Sequence, residues 1–552
     1  MKIGLLVIVL STVSQAALAQ QLPSAGGQIQ QLPPRPPQAQ QVIPDLRLER
    51  PAAPMEPADG GPSFAVSALR ITGMTVFSEA ELIAVTGFTP GTALNLAELR
   101  RMAARITDFY STKGYFVAQA YLPAQAVTDG YVTISVIEGR YGKVALENSS
   151  SLHDGVANGI LSGIESGDIV ANAPLERRLL LLSDTPGVAI KSTMMPGTEV
   201  GTSDLLVSVA PGRRLTGSIE ADNGGNRYTG YYRLGGSVNL NNPLGIGDVA
   251  SVRGLVTDGG LTYVRGSYQA PIMGVTLGVA YARLDYRLGR EFEALDAHGS
   301  ADIASVYASY PLVRSYRSNL YLLAGADFKW FHDEVDTTGS VSDKRSQLGS
   351  LGLSGDNRDS SGTTFWSVGW SVGNLDIRTP AVLAIDALTA RSNGGFHKVN
   401  AAVGRVQTIS GPFSVYLGGR GQLASKNLDI SEKMQLGGAY GVRAYPEGEA
   451  FGDQGYILTA EARLTLTELS RQLPGDVQLV AFIDHGGITF NRNRFSNAPN
   501  STSLSGVGAG VTWADDNNFQ LKASYAHRLG DKPVMSGPDA SGQFWVQATK
   551  LF

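Results

Sequence analysis

From Arg213 to Phe552 the chain is a succession of short stretches in which apolar and polar residues alternate. Leu215, Gly217, Ile219 and Ala221 alternate with Thr216, Ser218, Glu220 and Asp222, and Val264, Tyr268, Ala270 and Ile272 with Tyr263, Arg265, Ser267 and Gln269. A period of two puts each set on one face of a strand. In water such a sheet needs a second layer over its apolar face, as in a soluble all-β protein. In an outer membrane, lipid is that layer, and closing the sheet satisfies every backbone hydrogen bond. Membrane strands take about 10 residues, with about as many again in turns and loops, so the segment has room for about 16 antiparallel strands.

Composition agrees. The chain has 552 residues, too many for one compact domain, and its 43% hydrophobic content is ordinary because a barrel hides apolar surface by alternation. No apolar run of transmembrane-helix length follows the first residues. A net charge of −4 argues against a nucleic-acid partner. Lys2, the apolar stretch Ile3 to Val13 and the small-x-small tripeptide Ala17-Leu18-Ala19 read as a signal peptide over 1–19, with Gln20 the first mature residue. The absence of cysteine suits a chain that crosses an oxidising periplasm unfolded, and excludes a lipid anchor and thiolate metal sites.

Residues 20–63, rich in Pro and Gln, read as a linker with at most a weak helix near Gly27 to Gln31. From Phe64 the pattern changes. Strands are expected over Ala65 to Ile71, Phe116 to Leu122 and Tyr131 to Ile137. A capping box at Ser78 opens one helix that stops at Gly87, and Asn95 opens a second with Leu99, Met102, Ile106 and Phe109 on one face. The order recurs from Tyr141, and Ile134-Ser135-Val136-Ile137 lines up with Val207-Ser208-Val209-Ala210. Two βααββ units before a barrel resemble tandem POTRA domains, here 64–140 and 141–212, ahead of a barrel over 213–552.

Enzyme signatures are missing. The six His residues form no zinc motif, no Ser-His pair has a recognisable frame, and Gly506-Val507-Gly508-Ala509-Gly510 reads as barrel strand rather than nucleotide loop. No cofactor or metal is expected. The informative stretch is Leu436 to Tyr456, rich in Gly and charge between two strand patterns, with the cation Arg443 between Val442 and Tyr445. Further on, Val477, Leu479, Ala481 and Ile483 form one register and Gln478, Phe482, Asp484 and Gly486 the other. If the first faces lipid, Asp484 faces the lumen, where a carboxylate needs a partner or water. Parity puts Glu461 and Arg463 there too.

Val442-Arg443-Ala444-Tyr445-Pro446-Glu447-Gly448 resembles the VRGY/F loop of two-partner secretion transporters, the TpsB family. Phe482-Ile483-Asp484-His485-Gly486 resembles that family's F-x-D-x-G strand motif, Asn241 to Asp248 its N-P-L-G-x-G-D turn, and the terminal Phe552 the residue that addresses barrels to the assembly machinery. The resemblance implies a 16-stranded transmembrane β-barrel behind two periplasmic α+β POTRA domains. It implies that the loop folds back into the barrel with Arg443 on Asp484. It implies that the POTRA domains capture an unfolded exoprotein bearing an N-terminal secretion domain, of adhesin or haemolysin type, exported without nucleotide. The expected surroundings are outer-membrane lipid and, for insertion, the barrel assembly machinery. Two alternatives are an outer-membrane insertase of the same superfamily, which the two POTRA units and the turn motif count against, and a passive porin, which has no need of a motif-bearing internal loop. Ala444 stands where the family usually has Gly, and a left-handed backbone there would cost about 1 kcal/mol. The Pro-rich linker argues against a helix plugging the pore.

Overall fold

The computed structural model describes residues 23–34, 46–48 and 61–552. The expected signal peptide and its cleavage site lie outside these residues. The chain divides into two compact units. One joins the N-terminal segment to the residues after Arg213, and the other ends at Arg213.

The latter unit contains both βααββ copies. In the first, Ser78 and Asn95 cap the helices Glu79–Thr86 and Leu96–Thr112, each through a complete capping box. The expected strand Ala65 to Ile71 is broken at Ser67. Phe64–Val66 pairs with Thr92–Leu94, and only Ala68–Thr72 joins the three-stranded sheet with Tyr131–Ile137 and Gln119–Tyr121. The break arises because the Ser67 and Ala68 amides turn to the Gly130 carbonyl, at 2.8 and 3.4 Å. The expected strand Phe116 to Leu122 contracts to Gln119–Tyr121. Glu138, just past the central strand, is buried and ties the unit together. It accepts from the amides of Thr75 and Val76 at 2.7 Å each, from the Tyr110 hydroxyl at 2.9 Å and from the Thr75 hydroxyl. Burial pushes this carboxyl up, but those donors outweigh burial and hold it below the ordinary carboxylate value.

In the second copy, helices Asp154–Leu161 and Asn172–Ser183 cover a sheet in the order Leu46–Leu48, Val188–Pro196, Thr202–Pro211, Arg140–Asn148. The outermost strand comes from the stretch read as linker. Its three residues pair in parallel with Ser192, Thr193 and Met194 and cover one sheet edge.

The other unit is a closed barrel of sixteen antiparallel strands, from Leu215–Asp222 to Gly542–Leu551, as the alternation predicts. Apolar side chains face outward: Val279 opposite Val306, and Leu351 opposite Trp370, are exposed pairs. Among the described residues no helix is long and apolar enough to cross a membrane. Wall height is uneven. Ala297–Arg314, Ser318–Val335 and Ser340–Arg358 run 18, 18 and 19 residues, whereas the first and last strands have 8 and 10. First and last strands meet over five residue pairs, Ser218 with Leu551 to Asp222 with Gln547. Beyond them Phe552 exchanges backbone hydrogen bonds with Gly217, at 3.1 and 3.0 Å.

The weak helix expected near Gly27 to Gln31 is present as Ala25–Gln30, and it lies inside the barrel, against the expectation that no helix plugs the pore; there Ala25 packs with Leu284, Tyr286 and Phe331. Its first amide donates to Asp333 Oδ1 at 2.7 Å, Thr229 Oγ1 donates to Gln28 Oε1 at 3.0 Å, and Arg233 donates to the Gln31 carbonyl at 3.0 Å. The glycines that weaken its propensity permit its packing: a β-carbon on Gly26 would lie 2.9 Å from Ser431 Cβ.

Candidate functional site

The loop between strands Phe413–Ala424 and Gln454–Thr465 turns into the barrel interior. Its neck is a two-residue ribbon, Met434–Gln435 against Phe451–Gly452. Above it the tip folds on itself: the Val442 amide donates to the Leu436 carbonyl at 2.9 Å, Tyr445 to Val442 at 3.1 Å, and Gly438 to Tyr445 at 3.1 Å. Leu436, Val442, Ala444 and Tyr445 are fully buried in a cluster with Phe482 and Ile457 of the wall.

Arg443 is the hub. Its Nε and Nη2 donate to the two oxygens of Asp484 at 2.8 and 2.9 Å, and its backbone amide adds a third bond to Asp484 at 3.2 Å. Nη1 donates to Glu461 Oε1 at 2.9 Å. The guanidinium lies 3.5 Å from the Phe482 ring centroid. Asp484 has no exposed surface and also accepts from Thr459 Oγ1 at 2.9 Å, while Glu461 is held from the other side by Arg463 at 2.6 Å. A bidentate guanidinium–carboxylate pair stacked on an aromatic ring is a fixed geometry, not a screened surface contact. Parity on Asp476–Thr489 is as expected: Leu479 and Ile483 are exposed outside, Phe482, Asp484 and Gly486 buried inside.

The other expected loop residues have structural partners. Glu447 is buried and accepts from Gln435 Nε2. Gly448 has φ +77°, and a β-carbon there would come within 2.8 Å of Asn226 Nδ2 and 3.0 Å of Gln31 Nε2. The Pro446 carbonyl lies against Gly437, and Glu449 accepts from Met535 and Ser536. Ala444 has no left-handed backbone, so the strain that a methyl could have caused there does not arise. The Asn241 to Asp248 turn is a closed unit: Asn242, at φ +53°, exchanges bonds with Gly247 and Asp248, and Tyr268 donates to buried Asp248 at 2.7 Å.

Sequence reasoning missed the base of the loop. Glu432 is buried between Lys329 and Lys398, at 2.6 and 2.7 Å. Lys344 pairs with Asp429 at 2.8 Å, and Lys433 with Asp453 at 2.8 Å. The short 3-10 turn Ile430–Glu432, which carries Glu432 and is flanked by Asp429 and Lys433, also meets the interior helix. Period-2 parity marks the wall lysines as inward, but nothing local pairs them with residues of a distant loop.

Comparison with known proteins bears on the whole arrangement. The family described as Haemolysin secretion/activation protein ShlB/FhaC/HecB matches residues 201–513, and the POTRA domain of ShlB type matches 64–139. The Heme/hemopexin transporter protein HuxB of Haemophilus influenzae (strain 86-028NP) is 29% identical over 476 residues, 84% of this chain and 82% of that protein. The Outer membrane transporter CdiB of Escherichia coli O6:K15:H31 (strain 536 / UPEC) is 25% identical over 472 residues, 82% of this chain and 77% of that one. Among solved structures, CdiB from Escherichia coli superposes with a TM-score of 0.70 at 20% identity, covering 91% of this chain and 93% of that one, a likeness of fold.

Proposed function

Because this chain belongs to the haemolysin secretion/activation protein family ShlB/FhaC/HecB, an outer-membrane family of two-partner secretion transporters, we propose that it exports a specific unfolded exoprotein, taking it from its POTRA units and passing it through the barrel without nucleotide. The observation that carries this reading is an interior occupied by two parts that are not strands of the wall: the helix Ala25–Gln30 and the loop tip held by Arg443 on Asp484. A passive porin has no use for two such occupants of its lumen. The relatives are named as a heme/hemopexin transporter, an outer-membrane transporter and a hemolysin transporter, which supports a secreted exoprotein as the partner class.

Capture would use backbone pairing at a POTRA sheet edge, which accepts an unfolded chain with little regard to sequence, with side-chain pockets adding selectivity. Gln119–Tyr121 in the first unit ends its sheet, and the Val188–Pro196 edge of the second is covered for three residues by the chain's own Leu46–Leu48. Folding of the exoprotein outside would make return unfavourable and so supply direction. Deleting the gene should leave the cognate exoprotein degraded in the periplasm while other barrels assemble normally. Normal surface levels of that exoprotein in the deletion strain would overturn the reading, and a general loss of outer-membrane barrels would favour an insertase instead.

A further inference from the structure

Asp484 has a cross-strand neighbour that neither motif contains. In the register of Asp476–Thr489 with Ser501–Asp515, Asp484 lies directly opposite Gly506, so both face the interior side by side. The loop presents two consecutive residues to this pair: Arg443 bonds Asp484, and the methyl of the next residue, Ala444, stands over Gly506. A β-carbon built on Gly506 would overlap the Ala444 methyl, with the Ala444 amide nitrogen at 3.4 Å and the His527 carbonyl at 3.2 Å. Ala444 has no exposed surface, so its methyl has nowhere else to go.

We propose that Gly506 is a positioning residue for the lock: its missing side chain is the seat of the Ala444 methyl, and this size match registers Arg443 on Asp484. The dipeptide Arg443-Ala444 docks on the charge and gap formed by Asp484 and Gly506, charge onto charge and methyl into space. The backbone at Ala444 is not left-handed, so the methyl is tolerated on one condition, that the wall residue opposite has none. Gly508, the next inward position, is also closed to a side chain, since a β-carbon there would overlap both the Tyr525 carbonyl and the Phe482 ring that carries Arg443. A close-packed contact of this kind is intolerant of one added methyl, because neither the strand nor the folded tip can give way without disturbing the ion pair beside it.

This inference rests on reading the loop as a lock, so the test reads the loop and not export. The chain has no cysteine, so Val442→Cys, at a fully buried tip position, provides a single thiol in the full-length protein in detergent. Its labelling rate with a bulky maleimide reports how often the tip leaves its seat, and heat-modifiable gel migration reports a folded barrel. Gly506→Ala should speed labelling by about tenfold or more, as overpacking shifts the seated state. Adding Ala444→Gly to Gly506→Ala, which moves the methyl from loop to wall, should return the rate to within about threefold of the parent. Ala444→Val, which overpacks the seat from the loop and leaves the strand untouched, should also label fast. Parental labelling of Gly506→Ala or Ala444→Val, or a double variant as fast as Gly506→Ala alone, would overturn the proposal. If Gly506→Ala fails to fold, recovery of the barrel by Ala444→Gly supports the seat and continued misfolding removes it. Labelling as expected with unchanged secretion would leave the seat standing and remove the lock from the export mechanism.

Discussion

The guanidinium of Arg443 lies over the ring of Phe482, 3.5 Å from its centroid, while two of its nitrogens hold the two oxygens of Asp484, two residues further along the same strand. The wall thus grips one loop side chain through a ring and a carboxylate on successive inward positions, which fixes its direction as well as its distance.

Arg443→Ala removes a cation shared by Asp484 and Glu461, whereas Asp484→Ala leaves Arg443 its bond to Glu461. Arg443→Ala should therefore be the worse of the two. Leaving a buried polar group unmatched costs about 1–3 kcal/mol, enough to loosen the tip but not to unfold the barrel. Both should insert normally, secrete poorly and show altered conductance in planar bilayers, with the double mutant little worse than Arg443→Ala. Wild-type secretion from Arg443→Ala would remove the pair from the mechanism.

Glu432→Gln tests the base of the loop. It leaves Lys329 and Lys398 facing a neutral amide in a site where all three side chains are buried. Breaking a buried pair costs about 3–5 kcal/mol, so the turn Ile430–Glu432 and the helix resting on it should detach together. The expected signs are larger single-channel conductance and proteolysis near Gly26. A parental conductance trace would show that these charges do not hold the filling in place.

Glu138 gives the first POTRA unit an acid limit. Its folded carboxyl sits below the ordinary value, so its contribution is complete above the unfolded pKa of about 4.3 and is lost as pH falls through the folded one. Hydrogen exchange at the Thr75 and Val76 amides, corrected for intrinsic rate, should accelerate in that range and not between pH 6 and 8. Tyr110→Phe removes one of the donors that depress this pKa, so the folded pKa rises toward the unfolded one and the loss should be smaller and complete at a higher pH. Protection that is flat down to pH 3 would contradict this role.

Leu46–Leu48 covers part of the sheet edge that capture would use. Deleting these residues, or replacing Arg47 by Pro to remove its amide, should raise the affinity of the full-length transporter for its exoprotein's secretion domain by severalfold. Unchanged affinity by surface plasmon resonance would mean that docking occurs elsewhere, with Gln119–Tyr121 the next edge to block.

Much of this was legible in the residues. Strand parity is a strict local rule, so alternation around Asp484 gave its face, and capping boxes at Ser78 and Asn95 gave both helix starts of the first unit. The interior helix was only faintly legible near Gly27 to Gln31 and its place in the barrel not at all, because Ala25-Gly26-Gly27-Gln28-Ile29-Gln30 has weak helix propensity and no amphipathic stripe. It is helical because Ser431, Asp333 and Arg233 hold it, and none of these is near in sequence. The split of Ala65 to Ile71 at Ser67 escaped for the same reason, since the carbonyl responsible belongs to Gly130. Gly506 escaped because alternation gives its direction but not the loop methyl opposite.

The unequal strands make the barrel lopsided. A strand of about 10 residues spans the hydrocarbon, so walls of 18 and 19 residues on one flank are longer than the span needs, while on the flank where Leu215–Asp222 meets Gly542–Leu551 the strands are no longer than the span. A polypeptide emerging from such a mouth meets a parapet on one side and a low sill on the other. Under the proposed export, the low sill would be the open side for the first free residues of the cargo.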